Sequence, residues 1–188
     1  MDLPWGDIKT IQFITNVGLI TSKGPHGDNI MASEWTHHIS YSPGLIVVCI
    51  GHGKATAKNI SKTKVFGVSI TAEDQNVIAS VAGGSSGSDI DKVGALKELG
   101  CKFYNAKNID VLMVEGAVLN IECKLVKKIK LGDHTMFVGE VLDATHNLSK
   151  KPLAYHMLKY FKVGELVQKP NDKELERIKT IVEKHRKK

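Results

Sequence analysis

Apolar residues in this chain come in short runs of strand length, separated by stretches rich in turn residues. Val17–Thr21, Leu45–Ile50 and Val65–Ile70 are uncharged and rich in β-branched side chains, which predicts strands. Leu45–Ile50 has no polar position at all and reads as buried on both faces. From Ala117 to Ile129 apolar and polar positions alternate, with lapses at Val126 and Lys127, as in a long half-buried strand. Leu131-Gly132-Asp133 then turns the chain, and His134–Ala144 returns beside it as the second arm of a hairpin.

Helical signals are fewer. Thr56–Lys62 can form a short turn that packs Ile60 inward. Thr71 and Asp74 have the spacing of a capping box, opening a helix through Val77, Ile78 and Val81 that Gly83-Gly84 closes. A further helix runs from Asp89 to Leu99, with Ser88 or Asp89 as its cap and Gly100 as its stop. From Lys151-Pro152 onward the pattern does not separate strand from loop. After Pro170, Leu175, Ile178 and Val182 recur at helical spacing among charges. The expected division is a body, residues 1–169, and a charged helical tail, 170–188. Five or six strands dominated by hairpins, with helices inserted, predict a mainly β (α+β) domain built as a closed or partly closed barrel.

At 188 residues the chain can bury about 70 % of the surface its unfolded form exposes, so it needs no disulfides. Its three cysteines, Cys49, Cys101 and Cys123, are widely spaced, which suggests buried thiols in a reducing, cytoplasmic compartment and argues against a zinc site. No apolar run approaches the roughly 18 residues needed to span a bilayer, and the N-terminal segment MDLPWGDIK does not read as a signal peptide. The formal net charge is +6, but residues 171–188 hold seven Lys or Arg against four Asp or Glu and so carry half of it. A basic β-barrel that binds single-stranded nucleic acid is thereby an alternative reading. Aromatics are not interleaved with the basic residues as stacking platforms for bases would require.

The chemistry concentrates between Asn29 and Ile60. Gly51 and Gly53 could let backbone approach a ligand at the end of the apolar run, where Lys54, Thr56 and Asn59 offer one cation and two neutral polar groups, a set suited to phosphate. Trp35 by itself reads equally as a core or interface aromatic. His37 and His38, with His26 and His52 nearby, invite a metal assignment, but adjacent residues on an extended segment point to opposite faces. No metal is expected.

Taken in order, five pieces of the chain resemble the flavin reductase-like family of FMN-binding split β-barrels, in its flavoredoxin-related branch. They are Asn29–Trp35, the strand Pro43–Gly51, Lys54–Ile60, Ser86–Lys92 and Gly132–Glu140; Tyr155-His156 with Tyr160 and Gly164-Glu165 adds a weaker sixth. The resemblance implies a Greek-key-like split barrel, a homodimer and one FMN per subunit near the dimer interface. It places the isoalloxazine against Met31, Ala32, Ser33, Glu34 and Trp35, beside the strand end Cys49, Ile50 and Gly51. It assigns the phosphate to Lys54 and Thr56 with Asn59, and brings Ser86 and Gly87 near the ring or ribityl chain. Ala32 stands where relatives often have Thr, Ser88 where Arg is frequent, and Val93 where Phe is frequent.

The activity implied is a flavin reductase or flavoredoxin-like oxidoreductase. It would take electrons from NADH or NADPH through FMN to a flavin, to oxygen or to a protein acceptor, with FMN electron transfer without NAD(P)H oxidation as the alternative. Catalysis needs no certain side chain, since hydride transfer is chemistry the cofactor carries. His156, near the flavin face or interface, is the single catalytic candidate, and His134 reads as a turn residue bonded to Asp133.

Overall fold

The long hairpin predicted from alternation is the backbone of the fold. The computed structural model describes residues 1–186. In chain order its elements are β1 (Thr15–Asn16), β2 (Gly18–Ser22), β3 (Asn29–Ser33), β4 (Thr36–Tyr41), β5 (Gly44–Gly51), α1 (Ala55–Thr63), β6 (Val65–Ile70), α2 (Asn76–Gly84) and α3 (Lys92–Glu98). There follow β7 (Phe103–Asn105), β8 (Leu112–Val114), β9 (Leu119–Leu131), β10 (His134–His146), β11 (Leu153–His156), β12 (Lys159–Lys162) and α4 (Asp172–Lys184). β9 and β10 pair along their whole length, with two register shifts that bend the ribbon near Val138 and Val141.

Seven strands form one antiparallel sheet in the order β3-β2-β6-β9-β10-β5-β4. Its two edges, β3 and β4, are consecutive in the chain, so the two-residue corner Glu34-Trp35 spans the seam where the barrel is split. The Cys49 amide donates to the Trp35 carbonyl at 3.0 Å and extends the β4–β5 ladder into that corner. Inside lies a core of Ile20, Ile46, Val48, Ile50, Ile60, Phe66, Val68, Ile121, Cys123 and Phe137. A second cluster, including Leu19, Ile30, Ile78, Val93 and Leu96, packs α2 and α3 against the β2–β3 side.

Several expectations change on contact with the structure. β5 is not buried on both faces: Ile46, Val48 and Ile50 point into the core, while Leu45, Val47 and Cys49 are half-buried on the outer wall. An apolar run is therefore also what a barrel wall looks like when its outside is apolar. The capping box does not form. The Thr71 hydroxyl donates to the Val17 carbonyl at 2.7 Å, Asp74 pairs with Lys150, and α2 begins after Gln75 without a side-chain cap. Gln75 instead accepts from Ala72 N at 3.1 Å and donates to Glu115 O at 2.8 Å, tying the helix start to the β8–β9 connection. α3 is capped by Asp91, whose carboxylate accepts from Gly94 N at 2.9 Å, and not by Ser88 or Asp89.

Among the described residues twelve strands replace the five or six expected, because β1, β7, β8, β11 and β12 have only 2–4 residues each and show no period. β11 and β12 form a hairpin whose turn residues, Met157 and Leu158, both have positive φ, 47° and 60°. That left-handed pair matches the twist of the flanking strands, but it carries none of the Asn or Gly that would announce it. The alternation of β9 also fails at Asn120 and Glu122, which are buried. Both are satisfied: Asn120 bonds Ser69 Oγ and Val114 O, and Glu122 accepts from Lys107 N and Asn108 N at 2.7 Å each. α4 forms as predicted, capped by Asn171, yet buries none of its residues.

Candidate functional site

The seam corner sets one end of the site. Trp35 is 54 % exposed, and its ring lies 4.6 Å, centroid to centroid, from that of His134. Register explains the contact: Trp35 sits opposite Cys49 on β5, His134 opposite Gly51, and all lie on the outer wall. His134 Nδ1 is 2.8 Å from Asp133 Oδ1. This bond holds the Asp133 carboxyl below its usual range. An ionised carboxylate only accepts, so Nδ1 carries the proton and Nε2, on the Gly51 side, is the free ring nitrogen. Met31, Ala32 and Glu34 are half-buried around the corner; Ser33 is buried, its hydroxyl 3.5 Å from the Cys49 carbonyl. The Cys49 thiol is pushed up by burial, so it stays protonated. Ile50 points into the core and offers a ligand only its backbone.

The other end is polar and cationic. β5 runs through Gly51 to Lys54, whose backbone is the extended N-cap of α1, with no side-chain cap and no acidic residue in the first turn. The first amides of α1 thus lack intrahelical acceptors, and the end of the helix carries its positive dipole. Against it lies Asn29, whose amide donates to Thr56 Oγ1 at 2.8 Å. The Ser86-Gly87 loop is pressed onto the same residue: a Cβ at Gly87 would lie 2.0 Å from Asn29 Oδ1. Gly87 is therefore the position where only glycine lets the backbone approach; Gly53 meets nothing and Gly51 only ordinary contacts, so neither is needed for closeness. Ser86 Oγ accepts from Ser88 N and shapes the loop.

Beneath the loop lies Lys92, 3 % exposed, donating to the carbonyls of Ala82 at 3.0 Å and Ser85 at 3.2 Å. Burial first, and then the neighbouring charge of Lys54, lower its pKa to about 8. Two cations thus converge beside an uncapped helix start, and neither is ion-paired among the described residues.

The structure brings together Lys54, Thr56, Ser86 and Gly87, and separately Ala32–Trp35 with Cys49 and Gly51. It does not aim Asn59 at either end. Asn59 is wholly buried, accepting from His26 N at 3.0 Å and donating to Gly27 O at 3.1 Å and Ser22 Oγ at 3.3 Å, so it fastens the Gly24–Gly27 turn. The Thr56 side chain is likewise buried against Asn29 and presents its amide, more than its hydroxyl, to a ligand. His156 stands on β11 beside Phe161, with rings 6.0 Å apart and a buried Nδ1 that has no partner among the described residues. Its neighbour Tyr155 packs, like Ala32, against the cluster of Val17, Ala79 and Leu153, and burial, helped by the nearby charge of Glu34, raises its phenol.

Asn29 enters the sequence reading only as the first residue of a family motif, with no ligand role, and His134 only as a turn residue. The signal for the second was present, since a His beginning a strand directly opposite the glycine-basic loop must face it once the hairpin register is set. Among the described residues, no group of three or more His, Cys, Asp or Glu is placed to hold a metal ion.

Residues 10–164 match the family model of the flavin reductase like domain. The chain is 32 % identical to an uncharacterised protein of Archaeoglobus fulgidus over 65 % of this chain and 68 % of that protein. It is 27 % identical to an NADH-dependent FAD reductase of Streptomyces globisporus over 71 % of this chain and 70 % of that one. Among solved structures, the flavoredoxin of Desulfovibrio vulgaris superposes with a TM-score of 0.75 at 24 % identity, covering 92 % of this chain and 98 % of that chain. The seam corner, the glycine-basic loop and the long hairpin all fall inside the matched span, and the chain belongs to the flavin reductase-like domain family.

Proposed function

We propose that this chain is an NAD(P)H:flavin oxidoreductase that binds FMN along the outer wall of the split barrel. The observation that carries the proposal is the pairing of an exposed Trp35–His134 wall with a cationic, glycine-cradled anion site at the end of the same strand. The donor set fits a phosphate monoester: Lys54, the free amides at the start of α1, and the backbone of Ser86-Gly87 pressed against Asn29. When bound, the isoalloxazine supplies hydride and electron chemistry that no side chain here can perform.

The chain's own residues do the rest. The corner at Ala32–Trp35 supports the ring through backbone groups, and Trp35 with Cys49 gives it a largely apolar wall that keeps water from one side. Asp133 fixes the orientation of His134, leaving Nε2 on the Gly51 side able to accept or return a proton. NADH is favoured as donor by the relative from Streptomyces globisporus, which is named for it.

FMN is favoured over FAD by charge. A cleft of ≈ 420 Å³ adjoins the anion site across Gly87, and Asp28, Asp89 and Asp91 line it against Lys97 and His26. A terminal phosphate meets the two cations, whereas the added nucleotide of FAD would carry a second phosphate towards carboxylates. Residues 1–169 then make up the flavin-binding unit and 170–188 an appended helix. A homodimer, whose interface would cover Trp35, Ile39, Tyr41 and Leu142 on the outer wall, and a cytoplasmic setting complete the reading. A protein acceptor for the electrons is a further expectation.

Titrating the purified chain with FMN while following flavin fluorescence, then assaying NADH and NADPH oxidation, tests the proposal. Saturable quenching with turnover on either donor supports it. Binding without turnover would reduce it to an FMN electron carrier, and no binding would end it.

A further inference from the structure

Lys92 is a buried ammonium that the binding surface does not use directly. It lies 97 % buried, that is 3 % exposed, and its hydrogen bonds are to two main-chain carbonyls, Ala82 and Ser85. Removing a charged ammonium from water is expensive, and carbonyl dipoles alone offset little of that cost. The charged groups around it do not supply the missing anion. α2 and β3 carry no charged residue; the Ser85–Asp91 loop carries Asp89 and Asp91, both exposed, with Asp91 occupied in capping α3. α3 adds Lys97 and Glu98, exposed on its far turn, and the β5–α1 connection adds another cation, Lys54.

A buried cation with no ion-pair partner among the described residues, beneath a loop pressed onto a helix start, is placed to counter a negative charge bound on that loop. Resting on the flavin reading above, we propose that Lys92 is a positioning residue that supplies the flavin phosphate with countercharge from beneath the Ser85–Gly87 loop, and that phosphate binding is coupled to proton uptake at its Nζ. Lys54 meets the phosphate from the solvent side. Lys92 meets it through the loop, whose Ser85 carbonyl it holds from below.

The direction of the coupling follows from linkage. In the free protein the ammonium of Lys92 loses its proton near pH 8. A phosphate dianion beside it favours the charged form and raises that value. Below about pH 8 Lys92 is already charged and FMN binds at full strength. Above it, binding must first recruit a proton, so affinity falls as pH rises, by at most tenfold per pH unit.

The test is calorimetric titration of the full chain with FMN and with riboflavin between pH 7 and pH 9.5, in buffers of different ionisation enthalpy. The expected result is an FMN dissociation constant that rises about tenfold or more across this range, with proton uptake on binding, while riboflavin shows neither. Lys92→Met should weaken FMN at pH 7 and flatten its pH profile, leaving riboflavin affinity unchanged. FMN binding that is independent of pH and takes up no proton would overturn the role of Lys92 while leaving the flavin reading intact. Failure to bind either flavin at any pH would overturn both.

Discussion

Single residues set how tightly each end of the site is held, and several could be read in advance. Lys54 and Trp35 carry types that announce themselves, a cation after a glycine and a large aromatic in a polar stretch. Asn29, Gly87 and Lys92 stand inside the motifs that carry the family resemblance, but the contacts that hold them, Asn29 on Thr56, Gly87 on Asn29 and Lys92 on the Ala82 carbonyl, are ones no local pattern encodes. Lys54→Ala should weaken FMN by about 1.5–3 kcal/mol, the range for hydrogen bonds to charged groups, and an unchanged dissociation constant would remove Lys54 from the site. Gly87→Ala should cost at least tenfold in FMN affinity and less for riboflavin, because the added methyl must displace Asn29 from Thr56. Equal losses for the two ligands would count against a phosphate role for the loop. Glu122→Ala leaves the amides of Lys107 and Asn108 unpaired beneath the sheet and should cost about 2–3 kcal/mol in urea unfolding. The apo protein should also respond to pH through Lys92. Its folded value of about 8 lies below the ordinary lysine value of 10.5, so the unfolded chain binds the extra proton between about pH 8 and 10.5 and stability rises with pH in that window. Lys92→Met should abolish that rise.

Elements were legible in proportion to their length. The β9–β10 hairpin and the α4 helix carry enough residues for their periods to stand out, and both form where expected. The strands β7, β8, β11 and β12 hold no more than four residues each and exist because tertiary pairing selects them. The same competition defeated the capping box at Thr71. Once β6 ends at Ile70, Thr71 is taken by the Val17 carbonyl, and a long-range bond outweighs a local cap. α4 buries nothing, so deleting residues 170–188 should leave the melting temperature within about 2 °C and FMN affinity unchanged. A larger fall would show that the helix packs on something, most simply a second subunit.

At the scale of the whole molecule, what the chain contributes is the seam. Because the sheet's two edge strands are neighbours in sequence, a two-residue corner closes the barrel and places Trp35 on the outer wall. The strand opposite that corner then runs straight to the start of α1. The likeness to FMN-binding split barrels was visible in five ordered motifs, and the family model covers the same stretch. The meaning of the fold's outer wall was not visible, since an apolar run looks alike whether both its faces are buried or one waits for a ligand. The basic tail that gave the nucleic-acid alternative its weight forms a helix that buries none of its residues and lies outside the family match. Sedimentation at twice the chain mass would support a dimer closing over the wall.

The most direct measurement of the account is fluorescence titration of FMN into the purified apo chain at pH 7, repeated with riboflavin. The account predicts saturable one-to-one quenching by FMN and binding of riboflavin at least tenfold weaker, because the cationic end of the site needs its phosphate. Equal affinities would contradict the anion site, and no quenching by either flavin would contradict the account as a whole.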